Sequence, residues 1–235
     1  RLGRGTPVDV PDEDWAERSQ AALGPVRVGN IVVAPPWVSE KDVGCLFPES
    51  EKKTPDVFFT ITIQPSMGFG TGHHASTRLC LALLQRVPLE GRRVLDIGTG
   101  SGVLALAAWR LGAGAVTGID YDADALESAR ENVERNGADA GVTLVQSDLD
   151  TIAARSPTFD LVLANLTGAL LTREAHAIAA LLSPGADLIL SGVQLDEEQR
   201  VAGAFAAAGC DAGDRIEEDG WVGLLFTNPT TSTIR

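Results

Sequence analysis

Apolar runs in this chain repeatedly end on a residue that can do chemistry. Gly98, Asp120, Asp148 and Asn165 each closely follow a stretch of aliphatic and β-branched side chains. In an open α/β sheet, ligands bind in the crevice beyond the carboxyl ends of the strands. A carboxylate at Asp120 would accept hydrogen bonds from a ribose diol. Asp148, with Ser147 beside it, offers acceptors to the donors of an adenine amino group. Asn165 both donates and accepts, so it suits either the tail of a ligand or an incoming nucleophile. Singly these are a turn glycine, two strand-end acids and a turn asparagine. At successive strand ends they point to a nucleoside site.

The stretch Val94-Leu95-Asp96-Ile97-Gly98-Thr99-Gly100-Ser101-Gly102 reads as a buried strand running into a glycine loop and then a helix. Main-chain N–H groups at the helix start face whatever fills the loop. Asp96, Gly98 and Gly100 are candidate ligand contacts here. The third glycine falls one residue early for the dinucleotide pattern Gly-x-Gly-x-x-Gly, and the shorter loop leaves less room for a pyrophosphate. The spacing favours S-adenosylmethionine, a nucleoside carrying an amino-acid tail.

These residues need a scaffold, and the rest of the chain predicts one. Strands are expected at 115–120, 142–145, 159–163 and 186–190, separated by helices over 103–111, 122–136, 169–182 and 197–208. Such alternation implies a parallel sheet covered on both faces. Residues 211–218 and 221–227 flank Gly220 with no helix between them, so they must pair antiparallel. The expected fold is α/β: a Rossmann-like class I methyltransferase fold, with a mostly parallel seven-stranded sheet closed by an antiparallel C-terminal hairpin.

Upstream, Pro11 opens a helix running to about Leu23, residues 26–37 are strand-like, 40–56 read as a loop, and 57–64 alternate as a strand. This region is expected to be an accessory layer. Residues 1–56 would form a linker helix and accessory segment, and 57–235 the catalytic domain. Within the second, Pro65 to His74 carries glycine at 68, 70 and 72 and ends in His73-His74 ahead of a helix over 76–87. Taken alone it reads as a helix-capping loop with surface histidines, and beside the glycine loop as a flap over the cofactor.

The chain has a formal net charge of −13 over 235 residues. That charge opposes a direct grip on nucleic acid, where cations must displace counterions; it suits a basic protein partner, and equally an acidic surface kept for solubility. No apolar run approaches the length of a membrane span and no signal peptide is visible. The scattered cysteines 45, 80 and 210 read as reduced thiols of a cytoplasmic protein, expected to be a monomer. No Cys–His spacing suits zinc, and adjacent histidines seldom converge on one ion; no metal is expected.

The segments Gly68-Phe69-Gly70-Thr71-Gly72-His73-His74-Ala75-Ser76-Thr77-Arg78, Leu95 to Gly102 and Ala164-Asn165-Leu166 resemble the bacterial PrmA family over about Pro11 to Thr227. That family methylates a ribosomal protein, L11 of the large subunit, on lysine side chains and the N-terminal amine, using S-adenosylmethionine. By position, the resemblance implies cofactor contacts at Thr77, Gly98, Asp120 and Asn165, with Phe69, Thr71, Gly72 and His73 nearby. The family also carries a small N-terminal domain that recruits the ribosomal protein. This sequence opens at Arg1, just ahead of the linker. Absence of that domain would leave the methyl-transfer site but change the substrate to that of a related lysine methyltransferase; a domain lying upstream would keep the assignment.

The chemistry implied is in-line attack of a neutral amine on a sulfonium methyl. Asn165 is the acceptor-side candidate, and His73 or His74 the candidates for proton transfer, neither compelling as an obligatory base. Positioning and desolvation are expected to carry most of the catalysis. The rivals from other classes are a nicotinamide-dependent oxidoreductase, opposed by the loop spacing and the closing hairpin, and a non-catalytic nucleoside-binding module.

Overall fold

The structure is a computed structural model describing residues 23–46, 58–65, 72–155 and 158–230. The N-terminal helix expected from Pro11, and Phe69 and Thr71 of the flap, lie outside the described residues.

A small sheet comes first. β1 (Val26–Val28) pairs antiparallel with β2 (Ile31–Ala34), and β2 pairs in parallel with β3 (Phe59–Thr62). Between them Glu40–Leu46 forms α1, where the sequence reading expected a loop. The turn is nucleated by Ser39, whose N–H and hydroxyl both donate to the Asp42 carboxylate. It is too short to show periodicity.

The main sheet has the order β6-β5-β4-β7-β8-β10-β9. Its strands are β4 (Arg93–Ile97), β5 (Ala115–Asp120), β6 (Val142–Gln146), β7 (Phe159–Asn165), β8 (Leu182–Gln194), β9 (Asp211–Glu218) and β10 (Trp221–Thr227). β4 through β8 are parallel, while β10 runs antiparallel to both β8 and β9. The expected seven strands and closing hairpin are both present. Crossover helices are α3 (Val103–Arg110), α4 (Ala123–Arg135), α5 (Leu149–Ala154), α6 (Gly168–Ala179) and α7 (Glu198–Ala207); α2 (Ala75–Leu84) precedes β4.

Successive strand residues enter opposite cores, as the period of two requires. Val94, Leu161, Leu163 and Ile189 pack with Leu81 and Leu84 of α2 and Leu106 of α3. Leu95, Ile97, Val162, Ala164 and Leu190 pack with Leu171 and Ile178 of α6 and Phe205 of α7. The small sheet joins the first core through Ile31, Val33 and Ile61. It is tied down by Asn136, the C-cap of α4, whose Oδ1 accepts from Thr62 N at 2.9 Å and whose Nδ2 donates to Thr62 O at 2.7 Å.

Strands β5 and β7 lie on opposite sides of β4. The chain winds one way through β4, β5 and β6 and then returns to start β7 on the other flank. This reversal opens a crevice above the carboxyl ends of β4 and β7, the place where such sheets bind ligands. Among the described residues, no helix is long and apolar enough to cross a membrane.

Candidate active site

The glycine loop folds down onto the neighbouring strand. Gly98 N and Thr99 N both donate to Ile119 O at 2.9 Å, and Gly98, Gly100 and Gly102 have φ of 68°, 53° and 81°. Side chains other than glycine are strained there. Gly102 is the N-cap of α3 and has no side chain to cap it. Asp96 supplies the missing cap from below: its Oδ2 accepts from Ala105 N at 3.2 Å and from Thr99 Oγ1 at 2.7 Å.

Asp96 is 1% exposed, and burial pushes its carboxyl up to about 6, against the pull of the Thr99 and Ala105 hydrogen bonds. It lines neither cavity described below. The sequence pattern marks Asp96 as a ligand contact; in the structure its hydrogen bonds go to the loop and to the start of α3.

Asp120 closes β5 at the lip of the crevice. Its Oδ2 accepts from Gly100 N at 3.0 Å and its Oδ1 from Asp122 N at 3.1 Å. Each oxygen keeps acceptor capacity beyond those single bonds. Asp148 caps α5 by accepting from Thr151 N at 2.7 Å. Hydrogen bonding to Thr151, side chain first and then backbone, holds its carboxyl below the usual aspartate range. Asn165 ends β7, and its Nδ2 donates across a long 3.4 Å to Oγ1 of buried Thr77 on α2.

Two cavities meet here. A slot of about 310 Å³ is lined by Ile97, Ile119 and Leu149 with Ser147 and Asp148 at one end. A larger cleft of about 1230 Å³ runs past Gly100, Asn165 and Gly192 to His74 and Trp221. Gly98, Asp120, Tyr121, Leu166 and Leu170 line both, so the two form one trough. Gly98, Gly100, Asp120, Asp148 and Asn165 are thus brought together, as the sequence implied.

Thr77 reaches the trough only through Asn165. Gly72 is not among the described residues that line either cavity, and a Cβ there would meet Val33 of the small sheet at 3.0 Å. The two histidines also separate. His74 lines the cleft, stacked edge-on against Trp221 with centroids 4.7 Å apart. His73 lines neither cavity; its backbone carbonyl accepts from Arg78 Nη1. His74 Nδ1 accepts from Ser76 N at 3.2 Å as the N-cap of α2. Its Nδ1 also lies 2.8 Å from Ser76 Oγ.

The sequence reading missed Tyr121, Gly192 and Trp221. Tyr121 directly follows Asp120, and Trp221 follows the hairpin turn Asp219-Gly220. Position next to a functional turn was the available signal in both cases.

The model of the ribosomal protein L11 methyltransferase (PrmA) family matches residues 4–229. A ribosomal protein L11 methyltransferase of Chloroflexus aurantiacus is 38% identical over 243 residues, covering 94% of this chain and 70% of that protein. One from Symbiobacterium thermophilum is 38% identical over 221 residues, covering 94% of this chain and 67% of its own length. Among solved structures, a ribosomal protein L11 methylase from Lactobacillus delbrueckii subsp. bulgaricus superposes with a TM-score of 0.73 at 24% identity, covering 88% of this chain and 98% of that one. A SAM dependent methyltransferase from Aquifex aeolicus superposes with a TM-score of 0.54 at 22% identity over 65% of this chain and 93% of that one. The sequence matches, the fold and the trough agree, and the chain belongs to the ribosomal protein L11 methyltransferase family.

Proposed function

We propose that the trough holds S-adenosylmethionine and that the chain methylates unprotonated amines of ribosomal protein L11, on lysine side chains, the N-terminus or both. The reading rests on one observation: Asp120 and Asn165 face a single trough from opposite flanks of the β4–β7 crevice. The residues fit the cofactor. The Ile97–Ile119–Leu149 slot suits a flat apolar ring, Asp148 and Ser147 supply acceptors at its edge, and Asp120 accepts from the ribose diol. S-adenosylmethionine, when bound, supplies an electrophilic methyl group.

The protein must then present a neutral amine. A lysine ammonium titrates near 10.4 in water, to within about one unit, and burial disfavours its charged form. The cleft past Asn165, His74 and Trp221 removes water from an amine that enters it. Asn165 Oδ1 is the acceptor that would orient the entering N–H. Phe69, Thr71 and Gly72 belong to the same proposal only as family-implied contacts of the flap.

The test is calorimetric titration with S-adenosylmethionine, with NADH as the control, followed by mass spectrometry of ribosomal protein L11 after incubation. Saturable binding of S-adenosylmethionine alone, with methyl increments on the acceptor, is expected. Asp120→Ala should weaken cofactor binding about tenfold or more, the worth of hydrogen bonds to a charged group. A preference for NADH would transfer the site to hydride chemistry, and binding without any acceptor methylation would leave a nucleoside-binding module.

A further inference from the structure

We infer that a β-bulge at Ser191–Gly192 of β8 is a positioning device for Asn165, the inference resting on the acceptor-side role proposed for that residue. In the pairing of β8 with β10, Val193 faces Val222 and Leu190 faces Leu224. Two residues of β8, Ser191 and Gly192, therefore oppose the single Gly223. Gly192 sits at φ 79°, as the extra residue of a glycine bulge does. On the other flank of β8, the pairing with β7 runs up to Asn165 opposite Ser191 and stops there. The bulge thus lies where the two strands part and the Asn165–Leu166 turn begins.

The turn is seated directly on it. Leu166 N donates to Ser191 O at 3.1 Å. A Cβ on Gly192 would lie 2.3 Å from Leu166 O, 2.9 Å from Leu166 C and 3.1 Å from Asn165 Oδ1. The first two are backbone atoms that no side-chain rotation can move aside. Ser191, itself fully buried, locks the bulge from below by donating from Oγ to Val222 O at 3.0 Å. Glycine at 192 is what allows the Asn165 turn to close against β8, and the carboxamide takes its position in the cleft from that closure.

The test uses the full chain with S-adenosylmethionine and ribosomal protein L11. Gly192→Ala and the milder Ser191→Ala are each made with Asn165 intact and in an Asn165→Ala background. With Asn165 intact, Gly192→Ala should lower kcat on the order of 100-fold, the cost of misplacing a reacting group by about an ångström. Ser191→Ala should lower it less, and in both variants the loss in kcat should exceed the loss in calorimetric affinity for S-adenosylmethionine. In the Asn165→Ala background both effects should vanish.

Gly185→Ala controls for backbone strain alone: its φ is 77° and a Cβ there meets only Thr230 Cγ2, at 3.4 Å. It should keep its turnover. Equal losses with and without Asn165, or a Gly185→Ala loss matching that of Gly192→Ala, would overturn the inference. Full turnover by Asn165→Ala alone is a different result, and would overturn the reading of Asn165 itself.

Discussion

Asp96 shows what a single residue type leaves open. An acid beside a glycine loop is read from sequence as a ligand contact, because the letter pattern does not say whether the carboxylate points up into the crevice or under the loop. Its partners, Thr99 and Ala105 N, decide the matter. The consequence is a measurable pH dependence. An unfolded aspartate titrates near 3.9, to within about one unit, whereas folded Asp96 is pushed up to about 6. The folded state binds this proton more tightly, so the contribution of Asp96 is fully present below about pH 4 and lost as pH rises through about 6. By neutral pH, folding has lost about 3 kcal/mol of the stability that this site contributes at low pH. Asp96→Asn keeps an acceptor for both donors and carries no charge. Urea unfolding across a pH series should show that the variant gains stability over the wild type as pH rises from about 4 to 7. Parallel profiles would mean that the carboxylate is relieved by solvent or another partner.

Arg78 connects two elements that the sequence separates by well over a hundred residues. From the first half of α2 its Nε donates to Glu218 at 2.8 Å and its Nη2 to Asp219 at 3.1 Å, while Nη1 reaches His73 O. The β9–β10 turn is thereby pinned to the start of α2, and the His74–Trp221 contact closes the same junction on the cleft side. Arg78→Ala should cost about 1 kcal/mol of stability in urea unfolding, Asp219 being largely exposed. It should also raise KM for the acceptor more than that for S-adenosylmethionine. Arg78→Lys should recover little, since a single ammonium cannot reproduce the fork; full recovery would reduce the strut to its charge. Nothing local in the sequence announces such a junction. What was legible is the opposite kind of element: β5, β9 and β10 fall on their expected residues, because Gly112, Gly137 and Gly220 punctuate strong periodic runs. The short α1 and α5 were missed because one or two turns carry no period. In α5 the capping acid, Asp148, was seen only as a ligand contact.

At the scale of the whole molecule, charge and topology act on the same opening. The sheet reversal sets the trough on one edge, and the rim of its larger cleft carries Asp122, Asp124, Asp196 and Glu197 against Arg200, which is itself paired to Glu197 at 2.8 Å. With a net charge of −13, the protein's field attracts a cationic acceptor over a distance set by ionic strength, about 10 Å at 0.1 M salt. Steering of this kind acts on encounter, so it should appear in kcat/KM for the acceptor and not in kcat. Raising potassium chloride from about 0.05 to 0.5 M should lower kcat/KM for ribosomal protein L11 about tenfold, within the range known for steered association, while affinity for S-adenosylmethionine changes little. Asp122→Asn with Asp196→Asn should flatten that salt dependence without changing kcat, because neither side chain is assigned to the reacting end of the trough. A salt dependence left intact by the double variant would place the acceptor's approach on another face. The acidic composition would then serve solubility rather than recognition.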